Sequence, residues 1–253
     1  MNKTISIITA TLNSASSIRD CMDSLRSQIF LASHIVIDGG STDRTMEIVK
    51  SYSHVTKIVS EPDDGIYEAM NKGITLATGD IIGILNADDF YANNNVLAKI
   101  SKVFENDTIQ SCYADLVYVD KYQIDKVVRH WHAGDYNYRF FFWGWMPPHP
   151  TFFVRRSVYE KYGLFNLDLG SAADYELMLR FLLKHRISTA YIPEVLVKMR
   201  LGGASNTSLK NRLKANRMDR KAWEVNGLKP YPWTIPLKPL RKIPQYFVFG
   251  QES

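Results

Sequence analysis

The sequence predicts an α/β fold with a mostly parallel central sheet and helices on both of its faces. In the first half of the chain, apolar runs of strand length alternate with segments whose apolar residues recur at helical spacing. A polar turn follows each of these predicted strands. Alternation of this kind is typical of parallel sheets, which bind ligands beyond the carboxyl ends of their strands.

The elements of the first half follow one another in a regular order. Apolar runs predict strands at residues 5–9, 34–38, 57–60 and 81–85. Helical spacing predicts helices at residues 14–28, 43–49 and 67–77. Ser14 is a suitable N-cap for the first helix, and Ser41 or Asp43 for the second. The polar turns after the four strands would then meet at one edge of the sheet, where acidic residues gather.

The second half has a different pattern. It predicts a hairpin at residues 115–119 and 125–131, an aromatic loop at 136–145, a strand at 151–154, a helix at 172–184 and a last strand at 191–200. No internal repeat or low-complexity linker interrupts the chain.

Composition limits the class of protein. The chain has 253 residues, of which 45% are hydrophobic and 23% charged, as is ordinary for a soluble globular protein. Its two cysteines lack metal-ligand spacing and indicate a reducing compartment. The first residues resemble a strand more than a signal peptide, and no run reaches the roughly 18 apolar residues that a bilayer span needs. We therefore expect a cytoplasmic protein.

The positive charge is concentrated at the end of the chain. Of the net charge of +5, the segment from Ser205 onward carries +7, with ten lysines and arginines against three acids, so the preceding part carries −2. A basic extension suits a polyanionic surface, either nucleic acid or anionic lipid. Its interleaved aromatic residues favour a membrane headgroup interface. The alternative is that the extension packs on the body of the protein.

Asp88 and Asp89 directly follow the fourth predicted strand. Two adjacent carboxylates at the end of a buried strand repel each other and lose hydration, and a bound cation would relieve both costs. Oxygen ligands on a short loop suit Mg²⁺ or Mn²⁺, which commonly bridge to substrate phosphates. The alternative is a solvated turn or a helix cap.

Several motifs together resemble a family 2 glycosyltransferase of the GT-A fold. They are SIITATLN at residues 6–13, HIVIDGGSTD at 34–43, EPDDGIYEAMNKG at 61–73, LNADD at 85–89, PHPTFFVRR at 148–156 and ADYE at 173–176. The third resembles the subgroup that builds bacterial surface polysaccharides such as O-antigen, capsule and colanic acid. The resemblance implies a GT-A domain at residues 1–205, with a nucleotide-sugar half at 1–115 and an acceptor half at 116–205. Residues 206–253 would form a basic helical or extended C-terminal extension.

The resemblance also implies roles for individual residues on the donor side. Thr9 and Asn13 would line the nucleotide pocket, and Asp38 would accept a hydrogen bond from the imide of uracil. Asp63 would contact the nucleotide, and Lys72 would help with the phosphate charge. The alternatives are a turn residue for Asp38 and a solvated helix lysine for Lys72.

The remaining roles concern the metal, the diphosphate and the acceptor. Asp88 and Asp89 match the metal motif of the family and would share metal coordination and a ribose contact, although Asn86 replaces the usual first aspartate. Arg200 would fold over the diphosphate. Asp174 would be the base that activates the acceptor hydroxyl, with a helix N-terminal acid as its alternative reading. His149 would contact the acceptor.

The predicted function is therefore inverting, metal-dependent transfer of one sugar from a nucleotide-sugar, with UDP as the expected nucleotide. The expected acceptor is a lipid-linked glycan of lipopolysaccharide or surface-polysaccharide biosynthesis, reached at the inner face of the cytoplasmic membrane. The Gln-x-x-Arg-Trp motif of processive members is missing, which favours single transfer.

Two other functions remain as alternatives. One is a nucleotidyltransferase, although the turn after the first strand lacks the Gly-rich, cationic loop that holds a triphosphate. The other is a nucleic-acid-binding protein that uses the basic extension, although no recognised nucleic-acid motif is present and no nucleic-acid partner is expected.

Overall fold

The structure, a computed structural model, describes residues 3–202 and 209–246. It confirms the α/β class with a nine-stranded sheet in the order β3-β2-β1-β4-β8-β6-β9-β5, and β7 pairs with β6. The strands are β1 (Ile5–Thr11), β2 (Ser33–Asp38), β3 (Val55–Ser60), β4 (Ile81–Ile84), β5 (Phe90–Tyr91), β6 (Ser111–Val119), β7 (Val127–Trp131), β8 (Phe153–Arg155) and β9 (Thr189–Arg200). β1 to β4 are mutually parallel, as predicted.

Eight α-helices pack around this sheet in the described part of the chain. They are α1 (Ile18–Arg26), α2 (Thr45–Lys50), α3 (Ile66–Leu76), α4 (Val96–Val103), α5 (Arg156–Tyr162), α6 (Ala173–Met178), α7 (Leu209–Val225) and α8 (Thr234–Leu240). The predicted helix at 172–184 is α6 followed by a π-helical segment, Leu179–Lys184. The predicted aromatic loop contains a short 3₁₀ helix, Tyr138–Trp143.

The register of the parallel strands brings their carboxyl ends together. Thr11 of β1 lies opposite Asp38 of β2, and Ile8 of β1 lies opposite Ile84 of β4. Helix α3 covers one face of β1 closely, since a Cβ atom on its Gly73 would overlap the side chain of Ile8. The turns after β1, β2, β3 and β4 therefore meet at one edge, next to the first turn of α3.

The described part of the C-terminal extension packs on the body. Trp223 of α7 is completely buried, and its indole N–H donates to the Tyr175 hydroxyl at 3.0 Å. Asn226 donates to the Glu176 carboxylate at 3.0 Å. Thr234 at the start of α8 donates to the carbonyl of Phe142 at 2.7 Å. The extension therefore packs on the body through Trp223, Asn226 and Thr234, and other side chains of it stay exposed.

No helix in the described ranges is both long enough and apolar enough to cross a membrane.

Candidate active site

A cavity of about 450 Å³ lies at the carboxyl edge of the sheet. The turns after β1, β2, β3 and β4 contribute to it, and so do the start of α3, the β6–β7 hairpin and the end of β9. Its polar and charged lining side chains include Thr11, Asn13, Ser14, Asp63, Asn86, Asp88, Lys121 and Arg200. The gathering of polar strand ends at this edge is what the sequence predicted.

Four buried polar atoms of this lining have no hydrogen-bond partner in the part of the chain that the structure describes. They are Thr11 Oγ1, Asp63 Oδ2, Asn86 Oδ1 and Arg200 Nε. A buried polar atom without a partner costs about 1–3 kcal/mol. Four such atoms around one cavity indicate a site for a polar ligand with both donors and acceptors.

Asn13 lines the cavity, as expected, and also joins two loops. Its φ of 49° is left-handed, a conformation that asparagine adopts more readily than most residues. Its backbone N–H donates to the Ser41 hydroxyl at 2.8 Å, and its side-chain oxygen accepts from the N–H of Thr42 at 2.9 Å. These bonds fix the turn after β1 against the turn after β2.

Two residues predicted to contact the nucleotide lie outside the lining of the larger cavity. Thr9 does not line the cavity, because β1 continues to Thr11 and leaves Thr9 buried inside the sheet, 3.0 Å from the ring of His34. Asp38 is fully buried, and its carboxylate accepts hydrogen bonds from Ser41 and Ser60. These hydrogen bonds correspond to the turn alternative for Asp38, and its contact with uracil stays a prediction.

Lys72 is directed to carboxylates and not to the cavity. Its ammonium lies 2.9 Å from Glu61, 2.5 Å from Asp63 and 3.5 Å from Glu68. Hydrogen bonds to Asp63 and Glu61 raise the pKa of Lys72. The expected phosphate contact is therefore replaced by a supporting one, since Lys72 holds Asp63 by one oxygen while the second oxygen of Asp63 has no partner.

The turn after β4 places the side chains of Asp88 and Asp89 in different surroundings. Asp88 lines the cavity, whereas Asp89 is fully buried and outside the lining. Burial, and next the charge of Asp88, raise the pKa of Asp89 well above its usual range. Of this pair, Asp88 is therefore the carboxylate that lines the cavity.

The cavity fits a divalent cation that binds mainly through its substrate. The described residues contain no cluster of three or more His, Cys, Asp or Glu side chains that could hold a metal. Asp88 and the unpartnered oxygen of Asn86 nevertheless supply the oxygen ligands that Mg²⁺ and Mn²⁺ prefer. These ions commonly use one or two carboxylates together with substrate phosphates and water.

Arg200 and Lys121 form the cationic side of the cavity. Arg200 ends β9, pairs with Asp20, and donates to the Lys121 carbonyl at 3.0 Å. The Phe90 ring lies 5.4 Å from its guanidinium. Lys121 was not predicted from the sequence, because nothing in a hairpin loop shows that the loop reaches the strand ends of another part of the chain.

A second, smaller cavity of about 70 Å³ adjoins the first and shares Ile66 and Asn86 with it. Asp174, at the start of α6, and His149 both line it, as expected for the acceptor side. His149 Nδ1 lies 3.4 Å from Asp174 Oδ2, and the His149 side chain is 29% exposed. Burial lowers the pKa of His149, although the Asp174 charge opposes this shift. His149 is therefore a neutral ring near pH 7.

Helices α7 and α8 bring further charges close to Asp174. Lys238 lies 2.8 Å from Asp219 and 3.5 Å above the ring of Tyr175. Burial raises the pKa of Asp219 while Lys238 opposes the shift, and the charge of Asp174 adds to it. The charge of Lys242 contributes to the lowered pKa of His149. The sequence showed these residues only as part of a basic extension.

Comparison with known proteins identifies the family of the chain. The model of "Glycosyl transferase family 2" matches residues 6–163. A PGL/p-HBAD biosynthesis glycosyltransferase from Mycobacterium bovis is 32% identical over 209 residues, which cover 80% of this chain and 79% of that protein.

Two solved structures show the same fold at low identity. Residues 1–349 of Staphylococcus aureus TarS in complex with UDP-GlcNAc give a TM-score of 0.68 at 16% identity, covering 98% of this chain and 73% of that one. This chain spans 44% of the longer TarS chain. The mannosyltransferase PcManGT from Pyrobaculum calidifontis, in complex with GDP-Man and Mn²⁺, gives a TM-score of 0.64 at 16% identity. The match covers 99% of this chain and 77% of that one. The chain thus belongs to glycosyl transferase family 2 and is a glycosyltransferase of the GT-A fold.

Proposed function

We propose that this glycosyltransferase moves a single sugar, with inversion, from a nucleotide-sugar to an acceptor hydroxyl and depends on a divalent metal. The observation that carries the proposal is the pair of adjoining cavities. The larger one holds Asp88 and the four unpartnered polar atoms, and the smaller one holds Asp174. A donor diphosphate and an acceptor hydroxyl would then lie on either side of Asn86.

The larger cavity would bind the nucleotide diphosphate. Asp88 and Asn86 would hold Mn²⁺ or Mg²⁺, which neutralises the charge of the diphosphate when bound. Arg200 and Lys121 would face the same negative charge from the opposite wall. The unpartnered oxygens of Thr11 and Asp63 would form hydrogen bonds with the nucleoside. We favour UDP as the nucleotide because the TarS complex contains UDP-GlcNAc, although the PcManGT complex makes GDP the second choice.

Asp174 would act as the general base on the acceptor side. Its Oδ1 accepts the N–H of Tyr175 at 2.7 Å, which orients the carboxylate. Burial of Tyr67, and next the charge of Asp174, raise the pKa of the Tyr67 phenol well above its ordinary value. Tyr67 therefore keeps its proton and does not compete with Asp174 for the proton of the acceptor hydroxyl. An inverting transfer requires one base at this position, opposite the leaving group.

A donor screen tests the proposal. We expect the protein to use one class of donor among UDP-, GDP- and dTDP-sugars in the presence of Mn²⁺ or Mg²⁺, either by hydrolysing it or by transferring its sugar. This activity should be lost in EDTA. Binding of each free nucleotide, measured by calorimetry with and without metal, is the matched control. Full turnover in EDTA would contradict the metal assignment, and absence of binding to every nucleotide would contradict the function itself.

We further propose that the acceptor is a lipid-linked glycan of surface-polysaccharide biosynthesis and that the enzyme meets it at the inner membrane face. The 3₁₀ helix Tyr138–Trp143 and α8 together present exposed aromatic and aliphatic side chains. Trp143 is 50% and Trp233 44% exposed, and Leu240 and Ile243 beyond them are also exposed. Arg241 lies within the same surface. Aromatic and basic side chains in one surface suit a headgroup interface.

The double substitution of Leu240 and Ile243 by serine is expected to weaken binding to anionic vesicles without unfolding the protein, because both side chains are exposed. The same double substitution at Ile29 and Leu31, which are exposed elsewhere on the surface, is the matched control and should bind like the unchanged protein. Co-sedimentation with vesicles at low and high salt measures the effect. Equal binding of both double variants would rule out this surface as the membrane contact.

A further inference from the structure

The small cavity beside Asp174 is unusual for a sugar site because most of its lining is apolar. Its polar groups are Asp174, His149, Asn86 and the hydroxyl groups of Tyr67 and Tyr159, and the other seven lining side chains are apolar. Its volume of about 70 Å³ is several times the roughly 10–15 Å³ that one water molecule needs. An ordered water requires two to four polar partners, which the apolar side chains do not supply.

The position of this cavity relates it to the donor sugar, on the basis of the proposed function. The attacking hydroxyl must lie between Asp174 and the anomeric carbon of the donor, and the diphosphate lies toward Asp88. The anomeric carbon therefore falls near Asn86, which lines both cavities. A substituent of the sugar ring at this junction would point into the apolar space between Ile84 and Phe152.

We propose that the small cavity selects a donor sugar that carries a methyl-bearing substituent, either an acetamido group or the C6 methyl of a 6-deoxy sugar. A methyl group gains free energy from burial among Ile84, Phe152 and Phe165. A hydroxyl group in the same place would lose its hydrogen bonds to water, which is unfavourable unless a partner replaces them. One methyl-sized difference in an apolar pocket typically changes specificity by about 10–200-fold.

Matched donor pairs test this selection. UDP-N-acetylglucosamine against UDP-glucose tests the acetamido group, and GDP-rhamnose of the D series against GDP-mannose tests the C6 methyl group. We expect kcat/KM for one methyl-bearing donor to exceed that of its hydroxylated partner at least about 10-fold, while free UDP or GDP binds in either case. Equal or better use of both hydroxylated hexoses, with nucleotide binding intact, would overturn the inference and leave the proposed function standing.

A filled cavity provides the second measurement. Ile84→Phe, at the partly buried end of β4, is expected to reduce the preference for the methyl-bearing donor toward 1 without changing the Kd for the free nucleotide. Ile58→Phe on the outer strand β3 introduces the same side chain away from both cavities and should keep the preference. An unchanged preference in Ile84→Phe would overturn the inference. Loss of all nucleotide binding in the unchanged protein would overturn the proposed function and this inference with it.

Discussion

Replacing Asp174 by asparagine is expected to lower the rate of sugar transfer by about 10²–10⁴-fold, the usual contribution of a general base. Asparagine keeps the size of the side chain and an oxygen that can accept the N–H of Tyr175, but it cannot take a proton at pH 7. The Kd of the donor should stay the same, because Asp174 does not line the larger cavity, which is the proposed site of the diphosphate. Single-turnover kinetics and calorimetry on the same variant separate the two quantities.

Asp168→Asn supplies a matched control for this prediction. Asp168 is an exposed acid six residues before Asp174, at the start of a short 3₁₀ segment, and it lines neither cavity. We expect its replacement to leave the rate unchanged. If Asp174→Asn instead transfers sugar at the normal rate, Asp174 is not the base.

Asp88→Asn is the second substitution with a large expected effect. Loss of the carboxylate that we propose as the metal ligand should abolish metal-stimulated transfer, with a fall of at least about 10²-fold, since a bound metal contributes several kcal/mol. The adjacent variant Asp89→Asn is the control. Asp89 is buried outside the lining of the cavity, so an isosteric amide in its place should leave the response to metal unchanged.

A titration with Mn²⁺ of both variants distinguishes the roles of the two acids. The Asp88 variant should show no increase in rate with metal, while the Asp89 variant should follow the curve of the unchanged protein. The reverse order would show that Asp89 leaves its buried position when the donor binds.

Much of the fold followed from the sequence because its signals are local. Apolar runs and helical spacing located β1, β2 and β4, and the parallel order then placed the polar turns at a common edge. The main error on the donor side came from the length of β1. β1 continues two residues beyond its predicted end, so Thr11 and not Thr9 lines the cavity. An apolar run does not specify the residue at which a strand ends.

The parts that were missed depend on distant contacts. Adjacent aspartates look equivalent in a sequence, but one turn directs Asp88 into the cavity and Asp89 into the interior. Lys72 is the exception, because the three acids that it contacts lie within the preceding eleven residues and Glu68 is its i,i+4 partner on α3. Asp219 and Lys238 approach Asp174 from a segment whose composition indicated only a basic surface.

The packing of α7 and α8 on the body has a consequence for the order of events during synthesis. A ribosome delivers the turns after β1 to β4 early, whereas Lys121 and Arg200, which complete the same cavity, are synthesised later. Trp223, which covers Tyr175, lies 48 residues after it in the chain, and Thr234 lies 92 residues after its partner Phe142. Because a domain generally folds as a unit, the helix that carries Asp174 is secured only after α7 and α8 have left the ribosome. Both cavities are therefore completed late in synthesis.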